Sequence, residues 1–298
     1  MDTTNLDNIR HAYPHIKAIT DYKELCDKSR CDAVVIATHA STHYGIIKHS
    51  LEQGLDVLAE KPLTLNIDEA EELIQLAEQS NRMLMVAHTF LYNPAIVQIK
   101  QYVSEGILGD IYYMRARRTH LGLIRDDVNA VWDLAPHDIS MFLYLIGEIP
   151  VEVQAIGRKI LGSQREDAAF INLSFPSGVI AHIHVSWADS NKERSLDIVG
   201  SKARVVFDDL NIQEPVRIFH KGISVDSDEG TSFGEFKYLF RDGDIVSPKI
   251  SVHEPLKVLC TAFVESITKR KNPLSDGRFG CDVVKVLSAI DKSLKSRD

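Results

Sequence analysis

The chain has 298 residues, 44% hydrophobic and 26% charged, as expected of a globular protein long enough for two domains. Its net charge of −8 argues against nucleic acid or an anionic membrane as a partner, because both call for a dense basic surface. Cys26, Cys31, Cys260 and Cys281 show no CxxC spacing, which argues against a zinc knuckle or a disulfide framework and for a reducing, cytoplasmic setting.

The opening stretch, MDTTNLDNIR, is polar and acidic, unlike a signal peptide, and no apolar run approaches the roughly 20 residues that cross a bilayer. Residues 31–38, CDAVVIAT, form a continuous apolar run of strand length. Helical periodicity follows over 42–54, with Ser41 or Thr42 as the N-cap and Gly54 at the far end. LDVLAE (55–60) reads as the next strand. A helix is predicted over roughly 66–80, begun near Asn66 and built on Ala70, Leu73, Ile74 and Ala77. MLMVAHT (83–89) is a third strand. Strands that are apolar on both faces and spaced by helices predict a parallel sheet covered on both sides.

After a helix near 94–105 the pattern changes to strands at 111–120, 151–160, 168–175, 178–187, 194–201, 203–209 and 216–222, many with period-two alternation. FPSG (175–178) marks a hairpin turn. One helix, 133–147, interrupts these strands, and two more close the chain near 254–270 and 279–295. The expectation is a Rossmann-like parallel α/β domain over 1–93. An α+β domain with a large, mainly antiparallel sheet should fill 94–298, its last helices packing back on the first domain.

In open α/β sheets, ligands bind at the carboxyl ends of the parallel strands. Three such ends here are polar: Thr38-His39, Glu60-Lys61-Pro62 and His88-Thr89. Lys61 is either a surface lysine opening a loop or an ammonium aimed at a substrate or cofactor oxygen, with Pro62 fixing the backbone exit. Asp133 and His137 are four apart, so a helix puts them on one face, and Pro136 predicts that both lie in its first turn. A carboxylate beside an imidazole suits acid–base work near neutral pH; equally, Asp133 could cap the helix and His137 pack in the interior. Asp138 reads as support for the helix dipole and Trp132 as packing or a pocket wall. His39 and His43 have metal-pair spacing but no third ligand, so no metal is expected. Arg115, Arg117, Arg118 and Arg125 offer guanidinium forks for phosphate or carboxylate, or charges on an exposed strand face.

On these residues the chain resembles the glucose–fructose oxidoreductase/inositol dehydrogenase/MocA (Gfo/Idh/MocA) family of nicotinamide-dependent dehydrogenases. The stretches that carry the likeness are DAVVIATHASTHYGIIKHSLEQGLDVLAEKPLTLNIDEAEELIQLAE, YNPAIVQIKQYVSEGILGDI, WDLAPHDI and KNPLSDGRFGCDVVKVLSAIDKSL. NAVWDLAPHDISMFLYLIG is most similar to the branch that acts on C3 of UDP-N-acetylglucosamine or its uronic acid. The resemblance implies oxidation of a ring hydroxyl of a sugar nucleotide with NAD, or alternatively NADP, by a dimer or tetramer. It implies that Lys61, in the family's E-K-P motif, stabilises the developing alkoxide, that His137, or in some members the lysine, takes the hydroxyl proton and that Asp133 orients substrate or base. Asp2, Ala37, Thr38, Ser41, His43, Glu60, Lys61 and His88 fall where family members contact the cofactor; Arg118, Arg125 and Trp132 are the substrate-binding candidates.

One departure from the family pattern is large. Family members open with a strand, a G-x-G-x-x-G turn and a helix, whereas the first glycine here is Gly45. The match begins at the end of the family's second strand, with Asp2 near the ribose-binding acid. The expectation is a late-start version of an enzyme, with weak cofactor affinity and exposed apolar strand and helix faces. The alternative is a shortened relative that binds sugar nucleotides or serves as an interaction subunit.

Overall fold

A computed structural model describes residues 3–122, 124–162, 164–225, 238–251 and 253–296. They fall into two compact units, Met1–Ala87 with Phe263–Cys281, and His88–Ala262 with Asp282–Asp298.

The first unit opens with α1 (Thr3–Ala12) and the single turn α2 (Tyr22–Leu25), neither of which the periodicity announces. Then come β1 (Ala33–Ile36), α3 (Ala40–Glu52), β2 (Asp56–Ala59), α4 (Ile67–Gln79) and β3 (Leu84–Val86). The strands form a parallel sheet in the order β1-β2-β3, with Val57 beside both Val34 and Leu84. Every residue of β2 and β3 is buried, as two-sided apolar runs require. β1 lies at one edge of the sheet, and its Val35 is 65% exposed. Asn66 caps α4 by accepting the Asp68 amide, at the predicted position. The start of α3 lies earlier than Ser41 or Thr42, with His39 at the N-cap. Thr42 instead turns its hydroxyl to Thr38 Oγ1 and the His39 carbonyl, each at 2.8 Å, so it serves the loop and not the cap. Beyond β3, Ser275 donates to the Val86 carbonyl at 2.7 Å, and Val86 N–H donates to the Ser275 carbonyl at 2.8 Å. Gly280 fits there because a Cβ would sit 2.5 Å from Val86 Cγ2.

The second unit carries a short 3-10 helix (Thr89–Tyr92), α5 (Pro94–Ser104), β4 (Ile111–Leu121) and α6 (Ala130–Ile146). β5 (Glu152–Arg158), β6 (Ala168–Ser174), β7 (Ile180–Ser186), β8 (Ala188–Gly200), β9 (Arg204–Asp208) and β10 (Val216–Phe219) follow. β11 (Gly222–Val225) and β12 (Tyr238–Arg241) make a separate two-stranded ladder, and β13 (Ile245–Val246) pairs with β10. α7 (Pro255–Lys269) and α8 (Gly277–Lys295) complete the chain. The large sheet runs β13-β10-β9-β8-β4-β7-β6-β5. It is antiparallel except for β4 and β7, which run parallel at its centre. In β6, Ala169, Ile171 and Leu173 are buried while Phe170 and Asn172 are exposed, so one face of the strand is apolar and covered. α6 lies against β4, β6 and β7.

α6 begins one turn before the predicted start. Asn129 accepts the Trp132 amide at 3.1 Å and the Ala130 amide donates to the Glu166 carbonyl at 2.9 Å, so Pro136 lies within the helix. Gly147, at φ 83°, closes α6 in the left-handed conformation that a glycine adopts without Cβ strain.

Candidate active site

In the first unit the strand ends carry the polar residues. Glu60 and Lys61 follow β2 directly, both partly buried, and Glu60 Oε2 accepts the Lys61 amide at 3.2 Å. The Lys61–Pro62 peptide is cis. His43, on the first turn of α3, is buried, with Nδ1 2.8 Å from the Pro62 carbonyl and Nε2 3.1 Å from the Thr38 carbonyl. One imidazole thus joins the loop after β1 to the loop after β2. Ala37, Thr38 and Ser41 are exposed beside it. His39 lends no side-chain hydrogen bond to α3. The first amides of that helix, with the Thr38 and Ser41 hydroxyls and the Glu60 carboxylate, form a donor and acceptor set that fits the phosphate and ribose groups of a dinucleotide. Asp2 lies outside the described residues.

The second unit contains His88, Arg118, Arg125, Trp132, Asp133 and His137. Asp133 and His137 sit one turn apart on α6. Asp133 is held from two sides: Trp187 Nε1 donates to Oδ2 at 3.1 Å and Arg125 Nη1 to Oδ1 at 3.4 Å. Arg125 also grips Asp127 through Nε at 2.9 Å and Nη2 at 2.6 Å. The Asp127 hydrogen bond, opposed by burial and helped by both carboxylates, raises the guanidinium pKa above its ordinary value. Arg118 is 4% exposed and donates from Nε at 3.0 Å and Nη2 at 2.9 Å to Asp138, which is fully buried. Asp138, which the sequence suggested as dipole support, is therefore the anion of a buried ion pair. The Trp132 indole N–H donates to Asp291 at 2.9 Å, and burial raises the pKa of that carboxyl despite this bond. His88, two residues past the end of β3, is buried.

Two residues of this neighbourhood were not foreseen. Trp187 directly follows β7 and is buried, and Phe90 lies in the 3-10 helix beside His137, ring centroids 5.2 Å apart. Trp187 had a signal, a tryptophan closing the alternating run IAHIHVSW. Phe90 had none, since its neighbours come from elements far away in the chain.

Residues 4–88 match the GFO_IDH_MocA model, described as an oxidoreductase family with an NAD-binding Rossmann fold, and residues 96–206 match the GFO/IDH/MocA C-terminal domain. The chain belongs to the Gfo/Idh/MocA family of oxidoreductases. Among characterised Gfo/Idh/MocA proteins it is similar to UDP-N-acetylglucosamine 3-dehydrogenase of Acidithiobacillus ferrooxidans, 29% identical over 212 residues. That alignment covers 71% of this chain and 63% of the relative. The solved structure of the enzyme under that name from the same organism has a TM-score of 0.80 at 23% identity, covering 96% of this chain and 85% of the other. The WlbA dehydrogenase of Bordetella pertussis, solved with NADH and UDP-GlcNAcA, has a TM-score of 0.77 at 18% identity, covering 99% of this chain and 87% of the other. At those identities the two structures establish the Gfo/Idh/MocA fold. Among the described residues, no helix is long and apolar enough to cross a membrane.

Proposed function

We propose that this Gfo/Idh/MocA oxidoreductase oxidises a ring hydroxyl of a nucleotide-linked amino sugar, with NAD rather than NADP as the cofactor. The observation that carries the reading is the placement on α6 of His137 one turn from Asp133, a carboxylate held by Trp187 and Arg125. The likeness to a UDP-N-acetylglucosamine 3-dehydrogenase supplies the substrate class. NAD, when bound, supplies the hydride acceptor; Thr38, Ser41, Glu60 and the start of α3 are the groups suited to hold it. His137 takes the hydroxyl proton as the carbon–hydrogen bond breaks. A carboxylate one turn away whose position is already fixed, Asp133, stabilises the resulting imidazolium without reorganising. Lys61 offers an ammonium to the developing alkoxide, a compact charge suited to a single oxygen. The reading includes a homo-oligomer built on the open face of the large sheet.

The test is NAD reduction with UDP-N-acetylglucosamine or its uronic acid, followed by the nicotinamide absorbance at saturating NAD. Lys61→Ala and His137→Ala should each abolish turnover; near-parental rates in both would remove the assigned roles. Because the sequence holds no G-x-G-x-x-G turn, the 298-residue chain should bind NAD weakly in a calorimetric titration. Micromolar affinity would show that turn to be dispensable.

A further inference from the structure

A ring of contacts in the second unit leaves α6 at one residue and returns at its neighbour. Asp138 takes both inward N–H groups of Arg118, at 3.0 and 2.9 Å. The Arg118 guanidinium lies over the ring of Phe90, with Cζ 4.5 Å from the centroid. The Phe90 ring meets the His137 imidazole edge-on, at 5.2 Å and an interplanar angle of 64°, and also meets Phe207 of β9 at 6.5 Å and 82°. The circuit therefore runs His137–Asp138 through the backbone, Asp138–Arg118 through an ion pair, Arg118–Phe90 through a ring face, and Phe90–His137 through a ring edge.

We infer that Phe90 is a positioning residue for the His137 imidazole, and that the buried Arg118–Asp138 pair anchors Phe90 in that role. The inference rests on the reading of His137 as the proton acceptor. α6 fixes the backbone of His137, and the orientation of its imidazole depends on what packs against the ring. An aromatic wall on one side restricts rotation of the ring, and a cation packed on the wall's face holds the wall itself. Arg118 suits this position because its planar guanidinium can stack on Phe90 while its N–H groups engage Asp138, which a lysine ammonium cannot do together. A proton acceptor that wanders from the line of transfer loses rate far more than binding.

The experiment compares Phe90→Leu, which keeps an apolar wall of similar volume but no ring, with Phe90→Tyr, which restores the ring. Phe90→Leu should lower kcat about ten- to a hundredfold with little change in KM and should alter the pH dependence of kcat. Phe90→Tyr should recover kcat and the parental profile. Because loss of Arg118 alone leaves Asp138 buried without its cation, the anchor is tested by the paired change Arg118→Met/Asp138→Leu, which should reproduce the Phe90→Leu kinetics. A second readout needs no cofactor. NMR titration of the His137 imidazole in the free chain should differ from the parent in Phe90→Leu and in the paired variant, and match it in Phe90→Tyr. If His137→Ala is inactive but Phe90→Leu keeps the parental kcat, pH profile and imidazole titration, the inference is wrong. If His137→Ala stays active, the proton-acceptor reading falls, and the titration still decides the positioning: no difference in Phe90→Leu overturns it.

Discussion

Arg118 and Asp138 show what a buried ion pair asks of its surroundings. Their side chains are 5% and 0% exposed, so neither charge keeps water around it, and each is the opposite charge the other is paired with. Arg118→Met alone should therefore destabilise the protein by about 3–5 kcal/mol in urea denaturation, because an uncompensated carboxylate remains inside. Arg118→Met/Asp138→Leu should cost much less, since both charges leave together. Equal losses in the single and double variants would show that the pair holds the fold by something other than mutual compensation. The sequence offered Arg118 as a fork for an anion, and a fork it is. Its acceptor is a carboxylate twenty residues later in the chain, and no spacing rule joins a strand residue to a helix residue across a core. His43 is similar. The family resemblance implied a cofactor contact for it, and the structure puts its ring between the carbonyls of Thr38 and Pro62. His43→Leu should loosen both loops and remove the N–H that the ring donates to one of these carbonyls, a loss of about 1–3 kcal/mol measurable by thermal unfolding. Unchanged stability would mean that water replaces the imidazole there.

At the scale of elements, β7 carries an arrangement that should respond to pH. His182 and His184 lie on its open side, where Phe170 stacks on His184 at 4.3 Å and 14° and on His182 at 6.1 Å and 25°. The register places Arg115 beside His182 and Arg117 beside His184. Burial lowers both histidine pKa values. For His182 the positive charge of His184, Arg115 and Arg117 adds to that effect; for His184, Asp189 and Glu193 oppose it while Arg117 assists. A histidine whose folded pKa lies below the unfolded value near ~6.5 binds fewer protons folded than unfolded. Its stabilising share is complete above that value and is lost as pH falls through the lowered folded pKa. The urea midpoint should thus drop between about pH 7.5 and about pH 5.5, and drop less in His182→Gln/His184→Gln. Equal drops would assign the effect to other groups. These strands were legible because period-two alternation marks each one by itself. Helix starts were less so. α6 begins a turn early because Asn129 and the distant Glu166 carbonyl supply its first hydrogen bonds, and Pro136 is accommodated inside a helix held by packing on three strands.

For the whole chain, alternation tells which side of each strand is covered but not which strands are neighbours. The parallel contact of β4 with β7 joins residues about seventy apart, and strand order of that kind depends on long-range packing. The faces, by contrast, could be read, and they carry the last prediction. Opposite the covered side, the register lines up Ile156, Phe170, His184 and Arg117 in one row, and Ile180 with Tyr113 in another. Ile156 is 57% exposed, Phe170 50%, Ile180 56% and Tyr113 44%. Scattered exposed side chains are ordinary, but two rows carrying large apolar groups, with the polar row Arg115–His182–Asn172 between them, make a wide sheet face suited to a partner. A second copy can meet such a face with the same face turned about a two-fold axis, and a stable contact needs about 1,600 Å² in total. The parent chain should therefore sediment as a dimer or larger species. Ile156→Arg/Phe170→Glu should shift it to monomer and leave the variant with an unfolding midpoint that no longer depends on protein concentration. A parent that is monomeric at high protein concentration, or an assembly that survives both substitutions, would place the contact elsewhere or remove it.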